Sequence, residues 1–267
     1  MQYNNWLKRF SKDPRIIFDF LYWGVRGIRV IALKEAYEND HGALLGLSTL
    51  SKNQAGKQLV SIPLDDVTGN NKGEPDTKEL GSLFTKYGSD KATKHDYYLL
   101  YSFLLKDKRA LPITVFEIGL GTNNTAFTSN MGVDGKPGAS LRAFRDWAPN
   151  SKIYGADIDM GVLFEEERIK TFFVDQTDPE TLETIAGQFP KHSLDLIVDD
   201  GLHTTEANIN TLNWALELLK PDGYFVVEDI LEKYIPTWHT VAALLSNDYN
   251  CQLIKCKTES VFVVSKK

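Results

Sequence analysis

From residue 110 onward the chain alternates short apolar runs with segments of helical periodicity, and nothing else in it limits the possible folds so strongly. Ile113 to Ile118, Lys152 to Ile158, Lys170 to Val174, Leu194 to Val198 and Tyr224 to Val227 read as five strands. Several are apolar on both faces, as strands buried inside a parallel sheet must be. Ala139 to Trp147, Pro179 to Gln188 and Thr204 to Lys220 read as the intervening helices. This alternation implies an α/β fold, a doubly wound, mostly parallel, Rossmann-like sheet whose sites lie at the carboxyl ends of the strands. A helix is expected after Pro236, to about Ser246, and the last two strand-like runs, Gln252 to Lys257 and Ser260 to Val264, are expected to close an antiparallel hairpin.

Upstream the pattern changes. Asp65, Asp66, Gly69, Asn70, Asn71, Gly73, Pro75 and Asp76 crowd turn formers together. Residues 65–78 are therefore the expected linker between an N-terminal helical extension, 1–75, and a main domain, 76–267. Within the extension, Ile17, Phe20, Leu21, Gly24, Ile28 and Ile31 recur at helical spacing between Pro14 and Tyr37. Lys8, Arg9, Lys12, Arg15, Arg26 and Arg29 outnumber Asp13 and Asp19 there. Such a basic arm can pack on the main domain, join a second copy in a homo-oligomer, or lie on an anionic membrane surface. The whole chain is mildly acidic, 36 acids against 30 bases, and so offers no bulk attraction to nucleic acid. Cys251 and Cys256 are the only cysteines. On one strand they would stand roughly 16 Å apart, too far to bridge. With no thiolate-rich site and no run of roughly 18 apolar residues, a cytoplasmic location is expected.

Acids recur where the strands end. The first strand runs into Glu117-Ile118-Gly119-Leu120-Gly121, a turn in which glycines let backbone approach a ligand. The second ends in Asp157-Ile158-Asp159 and the third in Asp175-Gln176. A carboxylate at the end of the second strand can accept both ribose hydroxyls of a nucleoside. A dinucleotide is the alternative, but the three-glycine phosphate fingerprint is missing, and Glu117 would repel a pyrophosphate. An acid there suits a ligand bearing an amino group and a sulfonium, S-adenosylmethionine. The expected cofactor wall is Glu117, Gly119, Gly121, Asp157, Asp159, Asp175, Gln176 and Asp199.

The fourth strand ends in Asp199-Asp200-Gly201-Leu202-His203 and the fifth in Val227-Glu228-Asp229. Side by side, these ends would bring Asp200, Glu228 and Asp229 together as hard oxygen ligands for Mg²⁺ or Mn²⁺. Helix capping or solvation is the alternative role for such acids. His203, three residues after Asp200, would stand beside the cation as a neutral general base.

Together these residues resemble a family. The segments Phe116 to Gly121, Gly138 to Arg142, Ile153 to Asp159, Asp175-Gln176, Asp199 to His203 and Val227 to Asp229 resemble class I S-adenosylmethionine-dependent methyltransferases, over about 70% of the chain. More narrowly, they are similar to the Mg²⁺-dependent sugar O-methyltransferases of macrolide tailoring, the mycinamicin and macrocin type, and to related proteins of bacterial polysaccharide clusters. The resemblance implies a metal held by Asp200, Glu228 and Asp229, His203 as base, and Glu117, Gly119, Asp157 and Asp175 around the cofactor. It implies methyl transfer to a hydroxyl of a sugar or glycosylated metabolite, a small-molecule or glycan acceptor. A cephalosporin-type hydroxylase on the same scaffold, and a non-catalytic cofactor-binding subunit of a glycan-assembly complex, are the alternatives. Leu202 departs from the pattern, standing where the sugar enzymes usually have a small polar residue. Lys86 to Lys91, with His95, Tyr97 and Tyr98, also looks familial, either covering the pocket or capping a helix. The long polar loop 122–137 is expected to contact the acceptor.

Overall fold

The computed structural model describes residues 45–49 and 59–267, apart from residues 128 and 246. The chain divides into two units at Leu50 and Ser51. Of the first unit only residues 45–49, which are helical, are described. The expected helix from Pro14 to Tyr37 and its basic residues lie outside the described residues.

The second unit is a nine-stranded sheet with helices on both faces. Its strands are β1 (Ser61–Pro63), β2 (Thr114–Ile118), β3 (Lys152–Asp157), β4 (Glu165–Glu166), β5 (Ile169–Phe173), β6 (Leu194–Asp199), β7 (Leu219–Ile230), β8 (Tyr249–Lys255) and β9 (Ser260–Lys266). They lie in the order β1-β8-β9-β7-β6-β2-β3-β5-β4. Strands β5, β3, β2, β6 and β7 run parallel, and β9 pairs antiparallel with both β7 and β8. The expected doubly wound sheet and C-terminal hairpin are thus both present. The order reverses at β2 and β6, the switch point where an open α/β sheet forms its crevice.

The helices are α1 (Leu64–Thr68), α2 (Pro75–Tyr87), α3 (Tyr97–Leu105), α4 (Ala139–Trp147), α5 (Pro179–Ala186), α6 (Thr205–Leu218) and α7 (Ile235–Leu244). Alternate strand residues feed two cores, as the two-residue side-chain period requires. Val115, Leu196, Val198, Val226, Val261 and Val263 pack with Leu80, Phe84, Leu100, Phe144 and Trp147 on one face. Phe116, Ile197, Phe225, Val227, Phe262 and Val264 pack with Leu182, Trp214, Leu218 and Trp238 on the other. Local chemistry sets the helix ends. Asp178 accepts from Glu180 N with Pro179 at the first turn, and Thr204 accepts from Ala207 N.

The expected linker is not one. Its turn formers bound α1, a 3-10 turn at Asn71–Gly73 and the start of α2, and Ser61–Pro63 pairs in parallel with β8. The division expected at residue 75 therefore moves toward the N-terminus, because backbone pairing joins this stretch to the sheet. The expected fifth strand is longer than its apolar run, since β7 begins at Leu219 and slips register between Leu219 and Tyr224 against β6.

Candidate active site

The strand ends open into two adjoining clefts at the carboxyl edge. The first, of about 240 Å³, is lined by the β2 turn (Gly119, Gly121), the β3 end (Asp157, Ile158), Asp175-Gln176 and Gly201-Leu202. The second, of about 590 Å³, is lined by Ser89, Lys91 and His95 of the connection between α2 and α3, and by Met131, Asp200, His203, Glu228 and Asp229. Gly119, Gly121, Ser129 and Asp200 belong to both. Gly119 has φ +96°, and a Cβ there would lie 2.0 Å from the Asp200 carbonyl oxygen. Only glycine lets the β2 turn pass this close to the β6 turn.

Around the first cleft the acids are satisfied by their own turns. Asp157 accepts from Leu120 N and Asp159 N, both at 2.9 Å. Burial pushes its carboxyl above the usual range, against those hydrogen bonds. Asp175 accepts from Thr177 N and Thr177 Oγ1. Gln176 donates to Asp199 at 2.7 Å and to Thr211 at 2.8 Å, and accepts from Leu202 N. Three expected wall residues do not face the cleft. Asp199 is fully buried, taking its second hydrogen bond from Asn208 at 3.0 Å. Its place is behind the wall, holding the turn that carries Asp200. Asp159 accepts from Gly161 N and Thr122 Oγ1, tying β3 to the 122–137 loop. Glu117 is fully buried beneath the glycine turn and accepts from Ser140 at 2.6 Å.

In the second cleft the charges face one another. One carboxylate oxygen of Asp200, one of Asp229 and a ring nitrogen of His203 lie within 4.8 Å of each other. His203 Nε2 stands 3.8 Å from Asp200 Oδ1, while its Nδ1 is buried without a hydrogen-bond partner. His203, four residues beyond β6, and Asp229, near the end of β7, both take left-handed backbone, φ +57° and +55°. Glu228 is not among that group. It accepts from Lys91 Nζ at 2.5 Å and from the Tyr101 hydroxyl. Burial and the neighbouring Asp200 push Glu228 well above the ordinary carboxylate range, with Lys91 opposing them. Asp229 accepts from the Tyr97 hydroxyl at 2.6 Å. His95, stacked on Tyr97 at 4.8 Å, completes a second group with Asp229 and Glu259.

Lys91, Tyr97 and Tyr101 are the residues whose roles sequence reasoning missed. Lys91 and Tyr97 fell in a segment expected to cover the pocket or cap a helix, with no role given to either side chain. The available signal was the four-residue spacing of Tyr97 and Tyr101 on the mostly apolar α3, which puts these two hydroxyls on one helix face. Each meets one acid of the Glu228-Asp229 pair.

The 122–137 loop borders both clefts, Ala126 and Phe127 in the first and Asn130, Met131 and Asp134 in the second. Asn123 bonds its far end at Gly132 O and Gly135 O, and Ser129 donates to Gly201 O.

Residues 120–230 match the family described as "Methyltransferase domain". The chain is 29% identical over 226 residues to mycinamicin VI 2''-O-methyltransferase of Micromonospora griseorubida, covering 83% of this chain and 51% of that protein. It is 30% identical over 172 residues to demethylmacrocin O-methyltransferase of Streptomyces fradiae, covering 64% of this chain and 40% of that protein. The chain thus spans about half the length of these relatives, or less. Among solved structures it resembles the MycE methyltransferase of the mycinamycin biosynthetic pathway, in complex with Mg and SAH, with TM-score 0.55 and 23% identity, over 70% of this chain and 54% of that one. Domain match and strand order converge: residues 120–230 are similar to a methyltransferase domain, and the sheet shares the fold of the solved methyltransferase.

Proposed function

We propose that the chain is an S-adenosylmethionine-dependent O-methyltransferase acting on a hydroxyl of a glycosylated small molecule, with a divalent cation in its acidic cleft. One observation carries the reading. The nucleoside-sized cleft and the acidic cleft share Gly119, Gly121, Ser129 and Asp200, so a donor in one borders an acceptor in the other. The proteins named above support it, two being O-methyltransferases by name and the solved one a methyltransferase in complex with Mg and SAH.

The residues fit both groups. In the first cleft Asp157, Asp175 and the backbone of Gly119 and Gly121 would hold the nucleoside, and the cofactor supplies an electrophilic methyl group. In the second, the oxygens of Asp200 and Asp229 suit a hard cation such as Mg²⁺, with Glu228 behind them, and the cation would lower the pKa of a nearby hydroxyl. His203 lines the same cleft and would take the proton of that hydroxyl on a ring nitrogen. The enclosing loop and the α2–α3 connection would exclude water and align the oxygen with the methyl group.

Incubation with labelled S-adenosylmethionine, Mg²⁺ and a panel of glycosylated metabolites tests the reading. Label should pass to a sugar hydroxyl, stop with a chelator and return with Mg²⁺ or Mn²⁺. Undiminished transfer in chelator would remove the cation, and lack of S-adenosylhomocysteine binding would remove the cofactor.

A further inference from the structure

Lys91 is only 2% exposed, yet its ammonium lies 2.5 Å from Glu228, 2.6 Å from Asp200 and 3.3 Å from Glu117. An ammonium has three donor hydrogens, and here each of three directions holds one carboxylate. The acids come from the ends of three adjacent strands, β2, β6 and β7, so their separation is fixed by the sheet. Without a cation among them they would repel across a medium that screens poorly. Glu117 Oε1 has no hydrogen-bond partner, so Lys91 is the charge that faces it. The lysine is also held from behind. Its carbonyl accepts from Tyr98 N at the start of α3, its N–H points to Ser89 Oγ, and the Asp90 carbonyl gathers the N–H groups of Thr93, Lys94 and His95.

We propose that Lys91 is a positioning residue, the built-in counter-cation that lets Glu117, Asp200 and Glu228 stand together and leaves the Asp200–Asp229 side of the cluster to a single divalent cation. It acts through the acids, touching neither methyl donor nor acceptor. The metal half of this inference rests on the divalent-cation reading given under the proposed function. The charge arithmetic makes it testable, because removing the lysine leaves a carboxylate excess that a divalent cation, or loss of one acid, would relieve.

The test compares wild type, Lys91→Met and Lys91→Met/Glu228→Gln in the full chain, without cofactor or acceptor. Thermal melts in chelator come first. Lys91→Met should melt lower by on the order of 10 °C, the effect of stripping a buried charge of its partner in a domain this size, and the added Glu228→Gln should restore most of it. Calorimetric titration with Mg²⁺ comes second. Lys91→Met should bind the cation roughly tenfold more tightly than wild type, and the double variant should return toward the wild-type affinity. Unchanged melting of Lys91→Met in chelator, or no repair by Glu228→Gln, overturns the proposal. Where the wild type binds Mg²⁺, equal or weaker binding by Lys91→Met overturns it as well. Should Lys91→Met yield no folded protein, the double variant decides, since it is expected to fold and its failure would overturn the counter-cation. A wild type that gives no Mg²⁺ heat while the melts behave as expected removes the metal reading and upholds Lys91 as the counter-cation.

Discussion

The two clefts differ in what neutralises their carboxylates. Asp157 and Asp175 accept N–H groups from within a few residues of themselves or from the turn beside them, so the first cleft is built by local backbone. Asp200, Glu228 and Asp229 instead meet side chains more than a hundred residues away, Lys91, Tyr101 and Tyr97. One wall is held by short-range bonds within its own turns and to the β2 turn beside them. The other stands only while a distant segment stays docked on it, which ties its chemistry to the packing of α3.

The largest expected effect probes the second cleft. His203→Ala should lower turnover by roughly 10²–10⁴, the usual worth of a general base, while S-adenosylhomocysteine affinity measured by calorimetry stays near wild type. A parallel loss of cofactor affinity would show that the clefts are not separable, and the contrast between them would fail.

Next comes the layer behind the first cleft. Asp199→Ala strands the Gln176 and Asn208 amides in a fully buried position and should cost on the order of 3 kcal/mol in urea unfolding. Because Gln176 also holds Leu202 N, the β6 turn should loosen with it. A stability equal to wild type would mean that Asp199 serves the ligand rather than the turn.

Asp157→Ala is the direct test of the first cleft and should weaken S-adenosylhomocysteine binding by about 1–3 kcal/mol. The loss is expected with or without Mg²⁺, since no contact of Asp157 reaches the acidic group. A loss seen only with Mg²⁺ would break the distinction.

The smallest effect lies outside both clefts and serves as the control. Glu166 is held below the ordinary carboxylate range by a hydrogen bond from Arg142, with Arg145 adding to it. A depressed folded pKa stabilises above the unfolded value of 4.5, and that gain is lost as pH falls through the lower folded value. Wild type should thus exceed Glu166→Gln by a few tenths of a kcal/mol at neutral pH, since the pair is partly exposed, and the gap should close in acid. Neither cleft's affinity should change. A gap that widened in acid would reverse the assignment.

The sequence by itself determined the alternating sheet, its terminal hairpin and the set of strand ends that carry acids. Those follow from side-chain period and chain order, which are local. Helix α4, Ala139–Trp147, has the limits its periodicity implies. That the β6 and β7 ends bring Asp200, Glu228 and Asp229 near one another was legible for the same reason, because neighbouring parallel strands align their ends; that Glu228 is taken up by Lys91 and Tyr101 was not. Only the tertiary structure decided which acids face a cleft. Asp199 and Asp200 are adjacent in sequence and point to opposite sides of the strand end, one into the protein against Gln176 and one into the cleft, and period alone does not say which side is filled. It likewise decided that residues 65–78 form α1, a 3-10 turn and the start of α2 beside a strand of the sheet, since pairing of Ser61–Pro63 with β8 joins chain segments about 190 residues apart. And it placed Lys91 among three carboxylates, a long-range choice set by how the α2–α3 connection docks on the sheet and by the electrostatic demand of acids that the strand order had already brought together.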